Sequence, residues 1–299
     1  MSFESFTAGP SANAELFRAE PAVVDCYALF DKFFPTCGLL DYSEGMYFGD
    51  PAMPLETAQL NQIRYVLDEI NCRAGARILE IGCGNGTLLD EVRRRGAEGV
   101  GITISPEQVA LCRRRGLDVE LVNYRSLGVE WTRRFDAVVA NGPIEHFVQP
   151  RDAAAGRADL IYRQMFRIFH RVIDPDSPIR RFINTTIHFA RTPQPSALMV
   201  SPRNHPRGSD NWHWSWLERS FGGFYPTDGQ FERCAAGRFA LAKQVDGTED
   251  YRFTSEEWLR RMKEALHSRQ GLKILARALP FALRHIRQTF DMLTFMLAT

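Results

Sequence analysis

The sequence lacks the cysteine patterns that organise small metal-bound or cross-linked domains. Its six cysteines, at 26, 37, 72, 83, 112 and 234, are scattered, with no CxxC and no Cys/His pair at metal-ligand spacing. Neither zinc nor a disulfide framework is expected, no metal ligand is assigned, and a reducing cytoplasm fits. An excess of one charge is also missing. The 37 Lys and Arg against 36 Asp and Glu leave a formal net charge of +1, so nothing global calls for nucleic acid as a partner. No uncharged run reaches membrane-spanning length. The segment "MSFESFTAGPSANAELF" lacks a basic stretch followed by an apolar one, so no signal peptide is expected. No internal repeat is visible.

What is present is an ordinary globular composition, 44% apolar and 24% charged over 299 residues, enough for one large domain or two small ones. Residues 56–72 predict a helix, with Leu60, Ile63, Leu67 and Ile70 at three- or four-residue spacing. Alternating units follow: strand "RILEI" (77–81), helix 87–96 stopped by glycine, strand "GVGITI" (99–104), helix "SPEQVALCRRRG" ending on Gly116, then strands "DVELV" (118–122) and "FDAVVA" (135–140). Residues 153–173 read as helix and 180–189 as strand. Strands alternating with helices imply an α/β fold, a mostly parallel sheet covered on both faces, with its ligand site at the strands' carboxyl ends. After residue 190 the pattern breaks into a proline- and tryptophan-rich stretch, read as a lid. "RFALAKQV" (238–245) predicts one more strand. The end of the chain predicts an amphipathic helix whose stripe is Leu279, Leu283, Ile286, Phe290, Leu293 and Leu297. That stripe suits either a docked core helix or a membrane-surface or acyl-chain contact. The expected organisation is a single domain over 1–299: a helical cap (1–73), a cofactor-binding core (74–190), and a lid with the remaining strand and helices (191–299).

The turn "EIGCGNG" (80–86) lies between the first strand and a helix. Its three alternate glycines let backbone approach a ligand beside a helix N-terminus. The spacing is GxGxG, not the GxGxxG of dinucleotide sites, and no lysine follows as in a phosphate-binding loop. The second strand ends "GITIS" without the acid that would hold a ribose, the nearest being Glu107 in the next helix. Glu80, just before the glycines, favours a cationic ligand: S-adenosylmethionine, a sulfonium with an ammonium and no phosphate. A purely structural glycine turn is the bland alternative.

The stretches "YSEGMYF" (42–48), "LETAQ" (55–59), "RILEIGCGNG" (77–86), "GVGITISPEQ" (99–108), "NYRSL" (123–127) and "GPIEHF" (142–147) run in the order seen in cyclopropane-fatty-acid synthases. The chain resembles that family and the related mycolic-acid cyclopropane synthases most clearly over 42–147. A weaker likeness continues through "FYPTDGQ" (224–230) and "DYRFTSEEW" (250–258). The resemblance implies a Rossmann-like class I methyltransferase with S-adenosylmethionine as donor and S-adenosylhomocysteine as product. It implies that Tyr42 and Ser43 hold the methionine end, that Gly82 and Gly84 contact the donor through backbone, and that Thr103 and Gln108 stand in for the ribose acid. Tyr124 and Arg125 would flank the adenine, and Asn141 would lie beside the donor. In the family the Glu of the EHF motif helps hold a bicarbonate ion with a cysteine, a histidine and a late tyrosine. Glu145 and Tyr251 match. The cysteine position holds Glu44, and the histidine position falls on Asn184 or Thr185, so half of that set is altered.

Methyl transfer from a sulfonium needs in-line approach in a dry, oriented site. An alkene acceptor passes through a carbocation, which negative groups and aromatic faces stabilise before a base removes a proton. Glu145 lies where that base or its anchor belongs, with the start of a helix as the alternative role. His146 is expected to point away and support the turn. Phe33, Phe34, Tyr47, Phe48 and Trp212 to Trp216 suit either an apolar acceptor pocket or plain packing. The leading expectation is methylation of an unsaturated acyl chain. The alternative is an N-, O- or C-methyltransferase of a small metabolite, and a third reading is a non-catalytic donor-binding protein. The oligomeric state stays open.

Overall fold

The protein, seen in a computed structural model, is described at residues 21–39, 41–268, 271–284 and 286. In chain order its helices and strands are α1 (Pro21–Phe33), α2 (Leu55–Glu69), β1 (Arg77–Ile81), α3 (Thr87–Arg94), β2 (Glu98–Thr103), α4 (Pro106–Arg114) and β3 (Asp118–Leu121). Then come β4 (Ala137–Asn141), α5 (Pro150–Ala154), α6 (Ala158–Val172), β5 (Arg181–Thr185), α7 (Pro195–Leu198), α8 (Asp210–Phe221), α9 (Gln230–Ala235), α10 (Thr248–His267) and α11 (Gly271–Arg284). The five strands form one sheet in the order β3-β2-β1-β4-β5, parallel at every pairing. Residues 153–173 form two helices, because Gly156 takes a positive φ between α5 and α6.

Successive side chains on a strand face opposite ways, and the two core layers follow from that. Ile78, Ala137 and Val139 pack with Ile63, Val66 and Leu67 of α2 and Val92 of α3. Their neighbours Leu79, Val138 and Ala140 pack on the other face with Met165, Phe166, Phe169 and Val172 of α6. Each such side chain contributes about 1.5–3 kcal/mol by leaving water, so the central strands are held from both faces. A third cluster joins Cys26 and Phe30 of α1 to Met262 of α10. This docks α1 beside the sheet's carboxyl end.

Three expectations need correction or closure. Residues 238–245 form no strand; they run as exposed coil. The Phe239 ring packs on Phe182 and Phe166, and Lys243 reaches Glu69 and the Tyr65 ring on α2. Those anchors fix the segment without a ladder to β5, which is left as the sheet's edge among the described residues. The stretch after 190 folds into α7 and α8, where Trp212 and Trp216 are buried and Trp214 packs edge-on against Phe189. In the terminal helix Leu279, Leu283 and Ile286 are exposed, while Phe290, Leu293 and Leu297 lie outside the described residues. No described helix is long and apolar enough to cross a membrane.

Candidate active site

The carboxyl ends of β1, β2 and β4 open into one cavity of about 840 Å³. The turn after β1 is its floor. Gly82 and Cys83 both donate to the Ile102 carbonyl, at 2.8 and 3.1 Å, which ties the turn to β2. Gly82 has φ +68°, and a Cβ there would sit 2.7 Å from the Pro143 Cβ, so only glycine lets the two turns close together. Gly84 lines the same floor.

All ten residues expected to bind the donor border this cavity. At one end Glu80 is 3% exposed and its Oε2 has no partner. Burial, with Asp41 and Cys112 adding to it, pushes the Glu80 carboxyl well above the ordinary range. Tyr42 donates its hydroxyl to Asp31 of α1. Ser43 gives its N–H to Asp41 at 2.8 Å and keeps a buried hydroxyl without a partner. Asn141 is fixed by two donors at 2.7 Å, the Gln62 amide and the Thr185 hydroxyl. Toward the other end Thr103 donates to Gln108 at 2.7 Å, and Ser105 caps α4 by accepting the Gln108 N–H. The Tyr124 ring stacks on Phe147 with centroids 4.1 Å apart, and Arg125 clamps that pair through the Tyr124 hydroxyl and the Phe147 carbonyl.

Glu145 and Tyr251 do not line this cavity; they are near enough for the Glu145 charge to act on the Tyr251 phenol. Glu145 sits in a single 3-10 turn, Ile144–His146. Its Oε1 accepts the Ile187 N–H at 2.8 Å, while Oε2 is buried with no partner. The residue is 6% exposed. Burial raises its carboxyl to about 7, opposed by the Ile187 N–H and reinforced by Glu44. Tyr251 lies in the first turn of α10, and burial beside Glu145 and Glu44 pushes its phenol up to about 12. The start of α10 also grips the chain around Glu44: Thr254 accepts the Gly45 N–H and Asp250 the Tyr47 N–H, both at 2.8 Å.

His146 does not point away as expected, because α1 packs over its turn. It lines the cavity and its Nε2 meets the Tyr27 hydroxyl of α1 at 2.9 Å. Burial lowers its imidazole to about 4, so it is neutral. Val23, Val24 and Tyr27 of α1 complete that wall. None of Trp212, Trp214 and Trp216 reaches the cavity, and Phe48 is exposed, so the aromatics expected to line a pocket serve mostly as packing. Glu44, beside Tyr42 and Ser43, was passed over as a site residue. Its only signal is an acid at the position where the resembled family has a cysteine.

The parallel order 3-2-1-4-5 with a glycine turn after the central strand defines a Rossmann-like class I methyltransferase fold. Residues 17–276 match the family described as Mycolic acid cyclopropane synthetase, and the chain belongs to that family, a group of S-adenosylmethionine-dependent methyltransferases. Among solved structures it is similar to a cyclopropane synthase from Mycobacterium tuberculosis, at 20% identity and TM-score 0.68, covering 90% of this chain and 94% of that one. A mycolic acid cyclopropane synthase complexed with SAH and CTAB aligns at 20% identity and TM-score 0.64, covering 94% of this chain and 95% of the other. A ubiquinone biosynthesis O-methyltransferase from Xanthomonas oryzae pv. oryzae is 32% identical over 176 residues, 54% of this chain. The chain spans 65% of the length of that curated relative.

Proposed function

We propose that the protein transfers the methyl group of S-adenosylmethionine to the double bond of an unsaturated acyl chain. The residues present fit the donor. A buried Glu80 oxygen without a partner suits a cationic ligand and would repel a pyrophosphate, and Tyr124 with Phe147 offers aromatic faces for an adenine. When bound, the donor supplies an electrophilic methyl on a sulfonium. Tyr42, Ser43, Glu80 and Asn141 hold its charged end, Gly82 and Gly84 admit it through backbone, and Thr103, Gln108, Tyr124 and Arg125 hold the nucleoside.

The observation that carries the acceptor reading is Glu145, a buried carboxyl beyond the cavity with one oxygen unclaimed by the protein. An alkene has no proton to give before it reacts. It needs a dry negative group for the cation that forms, then a base for the proton that leaves. Tyr27, Tyr162, Tyr225 and Tyr251 all feel the Glu145 charge, so four phenols lie in its neighbourhood. The exposed Leu279, Leu283 and Ile286 beside Arg284 suit contact with the lipid surface that would carry such an acceptor. We treat the chain as one methyltransferase domain with a helical cap, core and lid. The name of the Xanthomonas relative favours a second reading, transfer to an oxygen, nitrogen or carbon nucleophile of a small metabolite. Incubation with methyl-labelled donor and either total lipid or a soluble metabolite extract decides between them. Label in the fatty-acyl fraction supports the first reading; label only in the soluble fraction replaces it with the second.

A further inference from the structure

We propose that Gln62 is a positioning residue of the donor site: from outside the cavity it holds the Asn141 side chain where that side chain meets the amino-acid end of S-adenosylmethionine. This rests on the placement of Asn141 beside the donor given above and is independent of the acceptor. Gln62 belongs to no motif in the sequence. It lies on α2, is 4% exposed, and is not among the residues that border the cavity, whereas Asn141 is.

Two elements converge on Asn141. It ends β4, and Thr185 ends the neighbouring β5 at the paired position. The Gln62 amide and the Thr185 hydroxyl both donate to Asn141 Oδ1, each at 2.7 Å. An amide oxygen has two lone pairs, so both are taken. Asn141 Nδ2 returns one hydrogen to Gln62 Oε1 at 3.3 Å. Gln62 and Asn141 thus form a two-bond amide pair. Among the described residues, the second Nδ2 hydrogen of Asn141 is left for a ligand. A hydrogen donor there suits the carboxylate of an amino acid, as the buried Glu80 suits its ammonium.

Gln62 can hold Asn141 because α2 cannot slide. Its Ile63, Val66 and Leu67 pack with Ile78, Ala137 and Val139 of the sheet. Gln59, three residues before Gln62 and so on the same face of α2, is also buried. Its amide donates to the Ser43 carbonyl at 2.8 Å and to the Asp41 carbonyl at 3.3 Å. Two buried glutamines therefore tie two walls of the cavity, the Tyr42–Ser43 stretch and Asn141, to one helix. Without the Gln62 amide, Asn141 keeps Thr185 as its remaining tether and can turn. Topology says which part of the donor feels this. Thr103 and Tyr124, assigned to the nucleoside, follow β2 and β3, while Asn141 ends β4 on the opposite side of β1.

The test is Gln62→Met in the full chain, which keeps the side-chain length and removes both amide groups. Calorimetry with S-adenosylhomocysteine and with methylthioadenosine, which has the nucleoside but no amino-acid end, needs no acceptor. The variant should lose about tenfold in affinity for S-adenosylhomocysteine and stay within about twofold of the wild type for methylthioadenosine. Asn141→Ala should show the same selective loss, and the Gln62→Met/Asn141→Ala double variant should lose no more than Asn141→Ala alone, because Gln62 acts through Asn141. Equal losses for the two ligands would make Gln62 a general packing residue and overturn the proposal. Additive losses in the double variant, or unchanged S-adenosylhomocysteine affinity in Gln62→Met, would overturn it as well. If Asn141→Ala binds S-adenosylhomocysteine as the wild type does, the placement of Asn141 falls and takes the role of Gln62 with it. Should thermal melts show that Gln62→Met does not fold, Gln62→Leu is read against the same two ligands with the same expected outcomes.

Discussion

Glu145→Gln should make the protein more stable and nearly inactive at the same time. Gln keeps the shape of the neutral acid and can still accept the Ile187 N–H that Glu145 Oε1 takes at 2.8 Å. What it removes is a charge that the fold disfavours. The carboxyl is raised from 4.5 to about 7, chiefly by burial. A carboxyl whose folded-state value is raised contributes stability that is fully present below the unfolded value. That contribution is lost as pH rises through about 7. The difference of roughly 2.5 units at 1.36 kcal/mol each is about 3 kcal/mol. For 299 residues the unfolding entropy is on the order of 0.6 kcal/mol per kelvin, so 3 kcal/mol is a shift of roughly 5 °C. At pH 8 the variant should therefore melt about 5 °C above the wild type, and at pH 4 the two should coincide. Turnover at pH 8 should drop by ~10²–10⁴-fold with donor affinity by calorimetry nearly intact. Scanning calorimetry at the two pH values, with a methyl-transfer assay beside it, tests both halves. A variant that melts below the wild type at pH 8 would show that Glu145 is ionised and well solvated in the fold. A fully active variant would move the chemistry elsewhere.

Two further substitutions probe the donor end. Glu80→Gln removes the buried acid whose Oε2 lacks a partner; it should weaken S-adenosylmethionine by about ten- to a hundred-fold. Because the Glu80 carboxyl is raised by burial, a cationic donor must draw off its proton, so wild-type affinity should climb with pH while the variant's stays flat. Titration calorimetry across pH checks this, and a flat wild-type profile would remove Glu80 from the donor's cationic end. Gly82→Ala forces a side chain onto φ +68° and to within 2.7 Å of Pro143. It should destabilise by about 2–3 kcal/mol in urea unfolding and lower donor affinity; unchanged values for both would mean the two turns are free to part.

Most of the core was legible because its signals are local. "RILEI" gives β1 over Arg77–Ile81 without error, since a buried parallel strand is a continuous apolar run. Ser105 and Pro106 mark the start of α4, and the hydroxyl does accept the Gln108 N–H. Eight of the ten expected donor residues lie within five positions of a strand's carboxyl end, where topology alone brings them to one cavity, while Tyr42 and Ser43 reach it from the loop before α2. Residues 238–245 failed for the opposite reason. Their apolar run suits a strand, but a strand needs an edge that accepts it. Here the anchors are rings and an ion pair on α2, which no local pattern records. The pairing of Tyr27 with His146 spans 119 positions, and α1 carried no motif to announce it.

The same distinction separates the proposed donor site from the proposed base. A donor with a fixed charge needs a polar, acid-bearing end, and the turn after β1 supplies that in one short motif. A base for a hydrocarbon acceptor needs the reverse: a carboxyl starved of water, so that it holds a proton more tightly than it would in solution. Starvation is a property of what surrounds the group. For Glu145 the surroundings come from α1, α6, α10, the turn at Gly223 and the loop at Glu44, all distant in sequence. A motif can therefore nominate Glu145, but only the packed fold raises its carboxyl, as the proposed base requires. Any change that lets water reach that turn, even far from the cavity, should act on the reaction as a loss of base strength and leave donor binding alone.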